Sequence, residues 1–284
     1  MPLYNLTYDN VALNVDNGFI VVNVPAGLGV TETITTMTTT SDGSTFVASH
    51  TPERQIIITL KAFNHADKQR IYDLFTVKTE AKQLTYEPVD GSNEKRVINC
   101  RVSAVRPLKS EFPMNVQVTL LATFPSWMSE NVFTTGITGE IDADFKFDIE
   151  LPEDDVFVFS EELTGNSRYV DYSGTVPAGI KIRVRFSTSK TFFKIQNQAT
   201  GEEMIVDYDF EADSELEIST VSGQKSILYR SASAIDGVSI LDSLRFGSKF
   251  IRLVHGRNRI FVDTNDGTFG IDVSVDYQAL HGGV

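Results

Sequence analysis

The sequence predicts a mainly β protein with a minor α+β part. Period-two alternation of apolar and polar residues recurs along most of the 284 positions. Clusters of Gly, Asn, Asp and Pro punctuate it at short intervals, and helical spacing occurs convincingly in one segment only. Single hydrophobic cores stop growing at roughly 250–300 residues, so two domains are expected. The small, polar stretch Thr134 to Gly139 has linker composition, which gives domains 1–135 and 136–284.

In the first domain, Leu13, Val15 and Phe19 to Val24 are expected as strands around the turn Asp16-Asn17-Gly18. Pro25 to Thr51 is rich in Thr, Ser and Gly, with sparse apolar residues. It is long for a plain loop in a compact domain. Two readings stand: an extended arm or long hairpin, or a surface loop without structure. Arg54 to Phe63 alternates, with Ile56, Ile58 and Leu60 on one face and Ile57 and Thr59 on the other, as a buried strand does. Asn64 is the expected N-cap, and Ile71, Leu74, Phe75 and Lys78 follow at helical spacing. One amphipathic helix is expected from about Ala66 to Val77. Strands follow at Gln83 to Tyr86, Lys95 to Val105 and Val116 to Phe124, the last with Val116, Val118, Leu120 and Ala122 on one face. One helix among segregated strands is an α+β arrangement.

In the second domain, Glu140 to Glu162 is dominated by acids, with Phe145, Phe147, Ile149 and Leu151 alternating between them as in a strand with one solvated face. Ile180 to Phe186 alternates strictly, placing Lys181, Arg183 and Arg185 outward. Further strands are expected at Phe192 to Gln196, Met204 to Tyr208, Leu216 to Ser219, Ser226 to Tyr229 and Phe250 to Leu253. Arg259 to Asp263 and Phe269 to Tyr277 read as a hairpin around Asn265-Asp266-Gly267. Short strands at this spacing indicate a β-sandwich.

The formal net charge of −13 argues against binding a phosphate backbone, which needs a basic face, and against adsorption to anionic lipid. A single cysteine, Cys100, excludes an intrachain disulfide and a cysteine-built metal cage. Met1 to Asn14 lacks a basic segment followed by an apolar run, so no signal peptide is expected. No run of about 18 apolar residues suggests a membrane-spanning helix.

Signals for catalysis are weak throughout. His50, His65, His255 and His281 share no ligand-like spacing, and no catalytic, cofactor-binding or metal site is expected. Asp263 to Gly267 faintly resembles a calcium loop, but Asp266 falls at a non-ligand place and Ser274 stands where the closing glutamate belongs. A tight turn explains the same residues. Gly27-Leu28-Gly29-Val30 lacks the lysine and following helix of a phosphate cradle. Phe124 and Trp127 read either as a sugar-stacking platform or as packing at a domain junction.

Several stretches, taken in order, resemble the distal tail proteins of long-tailed, siphovirus-type bacteriophages. In the first half these are Arg54-Gln55-Ile56-Ile57-Ile58 before a helix, Arg96 to Arg101, and Phe124-Pro125-Ser126-Trp127-Met128. In the second half they are Asn166, Ile180 to Phe186, Phe193 to Asn197, Thr200-Gly201-Glu202, and Phe250 to Ile260 with its apolar-x-Leu-x-x-Gly-x-Asn-x-Ile pattern. The resemblance implies an N-terminal ring-forming, split-barrel-like domain and a C-terminal galectin-like β-sandwich. It also implies a homo-oligomeric ring, a hexamer, in the virion tail tip. That ring would join the tail tube protein to a tail-associated tip protein and a receptor-binding protein, with no catalytic residues. The chain would be made in the bacterial host cytoplasm. A third alternative, an enzyme such as a wall hydrolase, lacks any motif, and two other functions stand beside this hub. One is a carbohydrate-binding β-sandwich module for host-surface recognition, which should show exposed aromatics on a strand face. The other is a tail-tube subunit.

Overall fold

The computed structural model describes residues 4–23, 25–38, 44–77, 80–89, 94–137, 166–233 and 236–284. They form two compact units, Met1–Glu130 with Leu280–Val284, and Asn131–Ala279. The protein is mainly β, and among the described residues it has one α-helix and one short 3-10 turn.

In the first unit, β1 (Tyr4–Tyr8) and β2 (Val11–Ala12) form a hairpin. Asp9 and Asn10 both take positive φ, 48° and 64°, as a two-residue hairpin turn requires. This corrects the sequence expectation, which placed the first strands at Leu13–Val15 and Phe19–Val24. Asn14 to Gly18 is instead a turn closed by Phe19 N–H to Asn14 O, 2.8 Å. Among the described residues, the chain after it forms isolated bridges at Val21 and Ala26, against Leu60 and Ile57. Next comes a two-stranded hairpin, β3 (Thr33–Thr38) and β4 (Ser44–His50), within the stretch that the sequence left open between arm and loop.

β5 (Arg54–Ala62) buries Ile56, Ile58, Leu60 and Ala62 completely, as its alternation required. The helix α1 (His65–Leu74) starts where Asn64 Oδ1 accepts from Asp67 N–H at 2.9 Å while Asp67 Oδ2 accepts from Phe63 N–H at 3.0 Å. It ends three residues before the expected Val77. There Thr76 Oγ1 bonds back to the carbonyls of Tyr72 and Asp73. β6 (Lys82–Pro88), β7 (Arg96–Pro107), β8 (Met114–Ala122) and β9 (Trp127–Ser129) complete this half of the chain. The sheet runs β2-β1-β6-β7-β8-β5. β7 is long enough to serve three neighbours: Arg96–Cys100 pairs with β6, Arg96 and Val97 pair with β9 on the other edge, and Arg101–Pro107 pairs with β8 across an irregularity between Val102 and Ala104. Such a bulge bends a strand, and it lets one sheet curl around its core.

The second unit begins with β10 (Phe133–Gly136), β11 (Ser167–Tyr172), β12 (Ala178–Gly179), β13 (Lys181–Phe186), β14 (Lys190–Asn197) and β15 (Glu202–Phe210). It continues with β16 (Ser214–Ser219), β17 (Ser226–Arg230), β18 (Val238–Ser239), β19 (Arg252–Leu253), β20 (Gly256–Thr264) and β21 (Ile271–Tyr277). One sheet has the order β10-β21-β13-β16-β17-β18 and the other β11-β20-β14-β15. Ile182, Val184, Phe193, Ile195, Val206, Ile218, Val262 and Val273 are fully buried, and Phe186 stacks on Phe210 at 4.4 Å. That inward set is what a sandwich core needs.

Three expectations for this unit change. β20 and β21 are not a hairpin: β20 pairs with β11 and β14, and β21 with β10 and β13, so the connection crosses between sheets. Thr134–Gly136 is not linker but part of edge strand β10, and the unit starts at Asn131. Only Arg252–Leu253 of the expected strand at Phe250 is extended. The acidic strand expected around Phe145 to Leu151, and Lys78 of the helix pattern, lie outside the described residues. The final strand β22 (Leu280–His281) returns to the first unit, where it pairs with β9.

Candidate functional site

The motif residues sit at two polar knots, one in each unit. In the first, β5 opens on Arg54, whose side chain is buried although charged. Its Nε donates to Pro125 O at 2.6 Å and its Nη1 to Gly27 O at 2.9 Å. Nη1 also donates to Gly29 O, and Nη2 to Gly282 O. Burial pulls its pKa down, and the carbonyl dipoles supply the solvation that water would otherwise give. Gly27 takes φ 86°, and a Cβ there would meet Gln55 O at 1.9 Å, so only glycine brings its carbonyl this close. Arg96 Nη1 donates to Gly283 O at 2.7 Å, and Val284 N–H to Leu28 O at 3.2 Å. The chain end is therefore held by two arginines and the β9–β22 pairing.

In the second unit, Asn197 and Asn258 are fully buried side by side, with Asn197 Nδ2 to Asn258 Oδ1 at 2.9 Å. Asn258 accepts from Val254 N–H and donates to Val254 O and Gly256 O, while Asn197 donates to Arg252 O. Gly256 supplies the positive φ, 92°, that the tight return into β20 needs. Beside this, Glu202 receives Arg252 Nε and Nη2 at 3.1 and 2.6 Å and Arg252 N–H at 2.9 Å. Burial opposes ionisation of Glu202, but these bonds outweigh it and hold its pKa below the usual carboxylate value. The Asn197, Glu202 and Asn258 motif positions thus satisfy buried polar groups, Gly256 makes the turn between them, and Leu253 is buried in the core.

The four histidines are not brought together. His50 is exposed on β4, His65 packs edge-on against Phe112, His255 bonds Gly174 O, and His281 lies on β22 with its pKa lowered by burial. Among the described residues no group of three or more His, Cys, Asp or Glu side chains is arranged to hold a metal. Cys100 is buried and its thiol is pushed up to about 12, which suppresses the reactive thiolate. Trp127 is fully buried in the first unit, edge-on to Tyr86, which removes it as a sugar-stacking platform. In the loop that faintly resembled a calcium site, the Asp266 carboxylate takes the Lys190 ammonium at 2.5 and 2.7 Å. Sequence reasoning missed that pair, because a lysine within a strand gives no sign of being buried.

Two solvent-facing surfaces bear on the expected functions. On the β3–β4 hairpin, Ile34, Met37, Phe46 and Val47 are each more than half exposed. On the outer face of the larger sandwich sheet, Asp272, Arg185, Glu215 and Arg230 stand in one cross-strand row. Arg183 pairs with Asp276, Arg185 with Glu215 and Arg230 with Glu217, so this face compensates its own charge. It presents no aromatic platform along Lys181–Phe186.

Residues 173–279 match the family model described as siphovirus-type tail component, C-terminal domain. Among solved structures, the chain is similar to the SPP1 Dit protein, described as a paradigm of the hub adsorption apparatus in Gram-positive infecting phages. The two share 16% identity over 98% of this chain and 99% of that one, with a TM-score of 0.68. It is also similar to a chain of the phage P2 baseplate in its activated conformation with Ca, at 11% identity, 97% of each chain and a TM-score of 0.50. The corresponding structure with Sr gives 12% identity over 96% of this chain and 97% of that one, with a TM-score of 0.50. No curated protein matches the sequence.

Proposed function

We propose that this chain, a member of the siphovirus-type tail component family through its second unit, is a non-enzymatic hub subunit of a phage tail tip. Copies form a closed ring of six. The ring joins the tail tube protein to the host-adsorption apparatus, through a tail-associated tip protein and a receptor-binding protein. The observation that carries the assembly reading is the β3–β4 hairpin. A pair of strands with Ile34, Met37, Phe46 and Val47 all exposed buries little apolar surface within its own subunit. Against a neighbouring subunit those side chains gain burial of about 1.5–3 kcal/mol each at most. A head-to-tail contact between copies either closes into a ring or runs on as a filament, and the family resemblance favours closure. The motif knots support a structural role, since their polar groups are consumed in holding backbone.

Light scattering and negative-stain imaging of the purified chain, with and without Thr33 to Ser49, test this reading. The parent is expected to form rings. Because the chain is acidic, ring content should rise, or at least not fall, with moderate salt. The deletion should weaken assembly while the second unit stays folded. A deletion that assembles as well as the parent removes the hairpin from the mechanism. A parent that stays monomeric at high concentration overturns self-assembly without partners.

A further inference from the structure

The second unit contains eight arginines, at positions 168, 183, 185, 230, 245, 252, 257 and 259. Five of them meet a carboxylate: Arg183, Arg185, Arg230, Arg245 and Arg252. The three that form no ion pair among the described residues, Arg168, Arg257 and Arg259, all lie on the neighbouring strands β11 and β20. Arg257 and Arg259 flank Tyr169, with guanidinium carbons 4.0 and 5.7 Å from its ring centroid. Tyr169 is half exposed, and Arg259 Nε donates to Ser167 Oγ at 3.1 Å. Asp171 stands across from Arg257 in register, yet the guanidinium lies over the ring and makes no ion pair with it. Two guanidinium groups thus stand on one exposed face without an ion pair among the described residues, in a chain of net charge −13.

We infer that Tyr169, Arg257, Arg259 and Ser167 form a binding site for an anionic saccharide, a sugar carrying a phosphate or carboxylate group. A guanidinium stacked on an aromatic face keeps its in-plane N–H donors available, and their fork matches phosphate or carboxylate oxygens. Tyr169 adds a flat apolar surface and a hydroxyl, and Ser167 a second hydroxyl. The site suits a small ligand better than a protein. Tyr169 is the one large hydrophobic exposed on these two strands among the described residues. A stable protein interface needs a fully buried apolar centre within roughly 800 Å² per partner. It also suits a short anion better than a long one. Beyond a Debye length of about 8 Å, an extended polyanion meets the chain's net negative charge. The inference stands apart from the hub reading and does not depend on ring formation.

Ligand-observed NMR and calorimetry on the full chain test it. The probes are glucose 6-phosphate, glucuronate, glucose, inorganic phosphate and hexaglutamate. Binding of the two anionic sugars is expected, with glucose inactive and phosphate weaker. Replacing both arginines, Arg257→Gln with Arg259→Gln, should weaken sugar binding about tenfold or more. Tyr169→Ala should weaken it too, and the double lysine replacement should restore only part. Melting temperatures verify that these exposed replacements leave the fold intact, and Arg185→Gln, on the compensated sheet, should bind as the parent does. Equal binding of glucose, phosphate as tight as the sugar phosphate, or an unaffected double glutamine variant overturns the site. Tighter binding of hexaglutamate assigns the patch to an acidic protein partner instead. Binding that emerges only after deletion of residues 140–162 assigns it to the chain's own acidic run.

Discussion

The ammonium of Lys190, which solvent does not reach, sits between both carboxylate oxygens of Asp266, 76 residues along the chain, at 2.5 and 2.7 Å. The pair anchors the start of β14 to the connection by which β20 crosses to β21. Phe269 lies over the same ammonium at 5.7 Å. Lys190 is therefore held by one carboxylate and one ring.

Removing the carboxylate should hurt more than removing the charge pair. Asp266→Ala leaves a buried ammonium unpaired, whereas Lys190→Met with Asp266→Ala replaces the pair by apolar volume. Thermal unfolding should rank the parent and the double variant above Asp266→Ala. A single variant as stable as the parent would show that water reaches Lys190.

The same pair sets a pH dependence. The hydrogen bond from Lys190 holds Asp266 below its usual carboxylate pKa. A depressed folded-state pKa gives stability that is present above the unfolded value, about 3.9, and is lost as pH falls through the folded one. Melting temperature in the parent should fall more steeply below about pH 4 than in Asp266→Asn. Parallel profiles would exclude a contribution from this pair.

Truncation after Ala279 tests the first knot. It removes β22 and the Gly282 and Gly283 carbonyls that Arg54 and Arg96 bind. Each buried polar group left unpaired costs about 1–3 kcal/mol. The truncated chain should lose protection from hydrogen exchange in β5 and β9 while β13 to β16 keep theirs. Uniform loss across both units would contradict a local anchor.

Asn258→Ala strips partners from Val254 N–H and from Asn197 in the second knot, at a cost of about 1–3 kcal/mol for each group stranded. Combined with Asn197→Ala, the double-mutant cycle should show coupling of about 0.5 kcal/mol or more. Additive effects would mean the two amides act separately.

We propose further that the second unit folds alone. A fragment of residues 131–279 should unfold cooperatively. One starting at Gly139 lacks Phe133–Gly136 and leaves an edge of β21 unpaired, so it should be less stable or should aggregate. Equal stability would make β10 dispensable.

The order of residues was enough to assign the strand faces. Alternation at Ile56, Ile58 and Leu60, and at Ile182, Val184 and Phe186, named side chains that are fully or almost fully buried, because burial selects residue type at every second position of a strand. It also marked the start of the helix, since the Asn64 cap is a local contact. It marked Arg54, Asn197 and Asn258 only as parts of a family pattern. Tertiary structure decided what they bind. Arg54 reaches carbonyls up to 228 residues away, and a backbone carbonyl carries no signature of residue type. Turn chemistry at Asn265-Asp266-Gly267 likewise dictates that the chain reverses, but not whether the flanking strands share a sheet. That choice was made by long-range pairing, β20 with β11 and β14, and β21 with β10 and β13. The hydrogen bonds of those ladders join backbone to backbone, so they leave no trace in the order of side chains.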